Sequence, residues 1–300
     1  MNQPLNISNN KNWLWYTCYA AVMTVFFLYV LFPSRALTDY VRTELESRYP
    51  EINVSFKKIG VSVSPGINIR GLKIALRENP GTPVYVSEKT SVRVSIPGWL
   101  TGDPKYFFKS KVQGGEISGF IEQKEIAKKE RIESTINFKD IKLDENVFID
   151  PVISQTLEGT LTGEIKYIGD LPDLLRGNAE ISADMTDGSI KLVKPFLGMD
   201  TVEFKKISLS GVLDNRRLTI KDLNMTGGPF SGSATGTVQI NNNFPSSRLN
   251  LRAEIEPSPS LMQENPNVGK AIDLVKNQMK GGKLPVNIRG TIERRLYNFR

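Results

Sequence analysis

From Glu51 onward apolar residues recur at every second position, and that period commits the chain to β-strands with one face against an apolar interior. Ile52, Val54 and Phe56 open the pattern, and Val61 and Val63, Ile67 and Ile69, then Leu72, Ile74 and Leu76 continue it. It returns at Val92, Val94 and Ile96, at Ile207 and Leu209, at Leu249, Leu251 and Ile255, and at Val286, Ile288 and Ile292. Gly, Pro, Asn and Asp punctuate these runs at short intervals, as antiparallel meanders require. The fold class expected is mainly β with a few helices, built on a long, curved antiparallel sheet.

Glycine sharpens that expectation. The stretches 157–165 and 230–238 both alternate apolar residues with glycines, and 114–119 and 227–232 share a turn-then-strand outline. Small residues on one strand face permit strong curvature or close approach of an opposite wall. Ordinary sheet curvature accounts for the pattern; an open groove that accommodates lipid is the sharper reading.

Residues 13–32 follow a different rule. They read WLWYTCYAAVMTVFFLYVLF without a charge, a length that matches the hydrocarbon thickness of a bilayer. Trp13 and Trp15 lie towards one end, where aromatic rings settle at the membrane interface, while Phe26, Phe27 and Phe32 supply apolar bulk. A cleaved signal peptide would have a shorter apolar core and a small-residue cleavage site, so a retained membrane anchor is expected. Lys11 alone precedes the segment and Arg35, Arg42 and Arg48 follow it; a literal positive-inside count places the large domain in the cytoplasm.

Two amphipathic helices complete the outline. Pro33 ends the apolar segment and Ser34 can cap a new helix, whose apolar positions Leu37, Tyr40, Val41 and Leu45 recur at helical spacing before Tyr49-Pro50. It is expected to cover the first strands. Val268, Ala271, Ile272, Val275 and Met279 form a second stripe, bounded by Pro257, Pro259 and Pro266 on one side and Gly281-Gly282 on the other. Val268, Ile272, Val275 and Met279 make it a candidate lid over the sheet or the end of a groove. The apolar stretch 192–196 reads as a short helix or an exposed loop.

Composition removes several chemistries. Histidine is absent and Cys18 is the only cysteine, so a Ser-His-Asp triad, an intrachain disulfide and a Cys-based metal site are all out of reach. The net charge of +7 is spread over isolated pairs such as Lys57-Lys58, Lys128-Lys129 and Arg216-Arg217; with no basic helix or aromatic-basic strand motif, a solvated surface is expected rather than a nucleic-acid interface. The glycine-rich run 227–236 lacks the Lys-Ser/Thr ending of a phosphate-binding loop. Asp184 and Asp187 flank Gly188 and read as turn-capping side chains. No catalytic residue, cofactor site or metal site is expected.

The order of these features resembles a known family. After the two N-terminal helical segments come Val61-Ser62-Val63-Ser64-Pro65-Gly66-Ile67-Asn68-Ile69-Arg70-Gly71-Leu72, then Ile96-Pro97-Gly98-Trp99-Leu100-Thr101-Gly102 leading to Val112-Gln113-Gly114-Gly115-Glu116-Ile117. Further on stand Leu218-Thr219-Ile220-Lys221-Asp222-Leu223, Gly227-Gly228-Pro229-Phe230-Ser231-Gly232 and Gly236-Thr237-Val238. This is similar to the AsmA-like envelope proteins, and the overall length and the ending after 286–292 resemble the type II secretion system protein N (GspN) group. The resemblance implies a cytoplasmic tail at 1–12, an inner-membrane anchor at 13–32, a short helix at 33–50 and a periplasmic β-rich domain at 51–300, which can divide into two sub-parts near 125–155. It implies a non-enzymatic accessory of type II secretion that works through contacts with other secretion proteins. The alternative it suggests is a lipid-binding or lipid-transfer protein of the cell envelope.

Overall fold

The computed structural model describes residues 15–298 apart from 21–22, 25–26, 28–33, 49–51, 63–64, 78–79, 82, 127–128, 144–156, 171–172, 197–198, 260, 262–276, 278 and 280. Among the described residues, α1 (Ser34–Arg48), the one-and-a-half-turn α2 (Ile96–Thr101), two single 3-10 turns and the helical residues 15–20 accompany fifteen strands. The strands are β1 (Ile52–Ser55), β2 (Lys58–Val61), β3 (Gly66–Leu76), β4 (Pro83–Val94), β5 (Lys105–Val112), β6 (Gly115–Ile126), β7 (Lys129–Leu143) and β8 (Leu157–Asp170). They continue as β9 (Asn178–Phe196), β10 (Met199–Asp214), β11 (Arg217–Thr226), β12 (Phe230–Gln239), β13 (Arg248–Pro257), β14 (Leu284–Thr291) and β15 (Arg295–Asn298).

All fifteen join one antiparallel sheet. From β3 to β15 each strand pairs with the next in sequence, while β1 and β2 both pair with β3. Nothing but short connections is needed for such an order. Two of them are two-residue turns with both central residues at positive φ, Gln113-Gly114 and Asn215-Arg216, the geometry that matches the strands' own twist. The mainly β expectation is met. β7 and β8, on either side of residues 144–156, pair directly.

Register partners in an antiparallel sheet share a face, so the alternation in sequence can be followed across strands. Beginning on β3, the partners run Ile67, Val92, Phe108, Gly119, Ile136, Ile165, Ile181, Gly211, Ile220, Gly236, Leu251, Ile288 and Tyr297. The neighbouring row carries Ile117, Phe138, Ala183, Leu209, Leu223, Ala234, Ala253 and Val286. These two rows give one face of the sheet an apolar band that crosses it from strand to strand. The opposite face carries Ser91, Lys109, Ser118, Asn137, Glu164, Ser182 and Ser210 in register.

At glycines of the apolar row the neighbouring strand leaves no room for a side chain. A methyl group on Gly119 would stand 2.0 Å from the Thr135 carbonyl oxygen, and one on Gly236, at φ +143, would stand 2.3 Å from that of Asn250. The close approach is by the adjacent strand's backbone.

Three expectations are corrected. Residues 192–196 belong to β9, which pairs with β10, rather than to a helix or loop. Asp184 and Asp187 lie inside that same strand, and the conformational break is a bulge at Asp187 (φ +49), not a turn. Tyr40 is two-thirds exposed, so Val41 and Leu45 carry the packing of α1.

Candidate apolar binding face

The apolar face is covered at its ends. At the N-terminal end α1 packs on β1 and β2, where Val41 and Leu45 meet the buried Val54, Phe56 and Ile59 together with Ile67 and Ile69. Arg42 adds a cation 5.6 Å from the centre of the Phe56 ring. Along β9, β10 and β12 a second cover comes from the chain after β13. There Ser258 Oγ accepts a hydrogen bond from the Leu261 amide at 3.2 Å, and Leu261 is buried with Val202 and Phe230. Met279 packs on the same group.

Between these covers lies a buried group formed by the sheet itself. Ile141, Leu143, Met185 and Phe204 are buried, with Ile117, Phe138, Leu161 and Ile207 packed against them. Elsewhere along the row, Val92, Phe108, Ile136, Ile165, Ile181 and Ile220 keep part of their surface open. A domain ordinarily closes its core with two packed layers; the described residues supply one sheet.

One polar island interrupts the apolar face. Ser87, Thr90 and Ser110 are buried and mutually hydrogen-bonded at 2.7–2.9 Å, and the Tyr85 hydroxyl joins Ser110 at 2.5 Å. The hydroxyls satisfy one another, which is what lets them be buried among apolar rows.

The strand ends along one edge are laced turn to turn. The Arg216 amide donates to Leu175 O and the Ile240 amide to Arg216 O, both at 2.7 Å. The Ile292 and Glu293 amides donate to Ser247 O and Pro245 O at 3.0 Å. Arg216 also forms an ion pair with Asp173 and donates to Asn242 Oδ1 at 2.5 Å. Hydrogen bonding from Arg216, helped by its charge, holds the Asp173 carboxyl below the usual carboxylate range. This edge is braced by contacts outside the strand ladders.

Of the residues singled out from sequence, Trp13, Phe26 and Phe32 lie outside the described residues, as do Val268, Ile272 and Val275. Trp15 and Phe27 are exposed, on helical residues. Among the described residues no helix is long and apolar enough to cross a membrane; most of the anchor segment falls outside them. Met279 alone of the candidate lid is placed, against the C-terminal part of the apolar face. Asp184 is not paired with a second acid; it meets Lys206 at 3.1 Å, and the Ser208 hydroxyl with Lys206 lowers its pKa. Among the described residues no acidic or cysteine cluster could hold a metal ion. Among the described residues the arrangement leaves an apolar face partly open. Sequence reasoning missed the continuity of the row, because only the register aligns residues from different strands.

Comparison with protein-family models, with curated proteins and with solved structures finds no match to this chain.

Proposed function

We propose that the protein handles lipid, sheltering acyl chains along the apolar face of its sheet. The supporting observation is the continuous row from Ile67 to Ile288, whose side chains stay partly open where a globular core would bury them. Exposing so much ordered apolar surface to water is unfavourable by about 25 cal/mol per Å², and an acyl chain removes it from water without requiring any directional contact. Sheets of this length twist, and small residues in the apolar row permit the curvature that would place the apolar face inside. Kinship with the AsmA-like envelope proteins, an inner-membrane anchor at residues 13–32 and a periplasmic domain belong to this proposal.

The direct test is organic extraction of the full-length chain purified in mild detergent, with lipids identified by mass spectrometry. Retained phospholipid at a reproducible ratio, lost in a folded Leu209→Glu variant, is the expected result. A folded chain that retains no lipid would sink the proposal.

A second reading rests on a separate observation. β15 is a four-residue strand at the end of the sheet, with Leu296 and Tyr297 exposed at 69% and 56%. Such an edge can accept a strand from another protein, the contact that an accessory of type II secretion would use. Deleting residues 295–298 should then abolish capture of a secretion component while leaving lipid retention intact; unchanged capture would reject this reading.

A further inference from the structure

On the polar face, register partners line up cations that sequence scatters. Lys58 pairs with Arg70, Arg70 with Lys89, and Lys89 with Lys111, so four positive side chains stand in one row across β2 to β5. All four are exposed, and none is ion-paired among the described residues. The row continues through Glu116 to Lys139, but Glu116 is engaged by Lys109 at 2.7 Å. Like charges directly opposite one another destabilise a sheet. Three such pairings in succession are a local conflict of the kind that marks a functional surface.

Beside the row lies a hollow of about 640 Å³ lined by Lys89, Arg93 and Lys111, by the Lys109–Glu116 ion pair, and by Phe107, 44% exposed. That volume is within the range of ligand clefts. We propose that this face docks an acidic polypeptide segment, its carboxylates on the Lys58–Arg70–Lys89–Lys111 row and an apolar side chain against Phe107. Strand spacing places the cations about 5 Å apart, and the long Lys, Arg and Glu side chains can bridge from that spacing to the repeat of about 6.5 Å on one face of an extended peptide. An anionic bilayer is the weaker occupant: a planar surface meets the rim of a hollow but not its floor.

The test uses the full-length chain in neutral detergent and a fluorescein-labelled glutamate-rich peptide carrying one phenylalanine, followed by anisotropy. Binding that weakens with salt and falls about a hundredfold in Lys89→Glu/Lys111→Glu is expected, with Lys221→Glu on β11 unchanged. Circular dichroism and melting of the double variant check its folding, and Lys89→Glu alone, which relieves the repulsion of Lys89 by Arg70 and Lys111, should melt no lower than the parent and still lose about tenfold in binding. Undetectable peptide binding, or equal binding by the double variant, overturns the proposal. So does displacement of the peptide by micelles doped with phosphatidylglycerol but not by neutral ones, which would assign the cations to lipid headgroups.

Discussion

Phe204 and Gly188 face each other directly across β9 and β10, and the ring closes over the glycine so tightly that a methyl group there would stand 2.5 Å from Phe204 Cζ. The same methyl group would come within 2.0 Å of the Glu158 carbonyl oxygen on β8. The central buried group of the apolar face depends on that missing side chain, since Phe204 is one of its four buried members.

Gly188→Ala should therefore destabilise the chain by about 1–3 kcal/mol through overpacking, read as a lower denaturation midpoint. Gly60→Ala is the control. A methyl group there meets nothing within 4 Å, so its effect should stay within about 0.5 kcal/mol of zero. Equal effects at the two sites would contradict the close packing of Phe204.

Asp173 governs a pH effect at the braced edge. Its carboxyl is held below the ordinary value by Arg216. The stability it contributes is thus complete above the unfolded pKa of about 3.9 and is lost as pH falls through the lower folded pKa. Asp173→Asn should melt lower than the parent at neutral pH, and the gap should close under acid conditions below that window. A gap that widens on acidification would refute the pairing.

How far the sequence could be read depended on whether a feature is local. The period of two identifies strands, and helical spacing places α1 to within two residues of its ends. Residues 192–196 are ambiguous in sequence because an apolar run with Pro195 is equally at home in a loop, and only pairing with β10 makes it a strand. Lys58, Arg70, Lys89 and Lys111 come from four strands, so nothing short of the register brings them together. The hydroxyl island has the same origin: Tyr85, Ser87 and Thr90 meet Ser110 only once β4 and β5 pair.

That island should be sensitive to its hub. Ser110 bonds Tyr85, Ser87 and Thr90, and Ser110→Ala would remove a partner from each. The expected loss is about 1–3 kcal/mol by chemical denaturation. A neutral result would show that water replaces the hydroxyl.

Tyr167 presents the opposite case. Its hydroxyl has no hydrogen-bond partner among the described residues, and burial, with the nearby Asp170 and Asp173 carboxylates, raises its pKa. Its ring and hydroxyl pass beside Gly169 and Gly177, where methyl groups would stand 1.9 Å and 2.4 Å from the oxygen. Tyr167→Phe should be neutral or stabilising by up to about 1 kcal/mol. A clear loss of stability would show that the hydroxyl is satisfied.

The central claim is that lipid lies on one face of the sheet and not on the other. Ile181 and Ser182 are adjacent on β9 and point to opposite faces, Ile181 in the apolar row and Ser182 among polar partners. A photo-crosslinking amino acid placed at each position in turn, in the full-length chain expressed in a bacterial membrane, reads the two faces separately by mass spectrometry. The account predicts phospholipid adducts at position 181 and none at 182; adducts at both positions, or at neither, would contradict it.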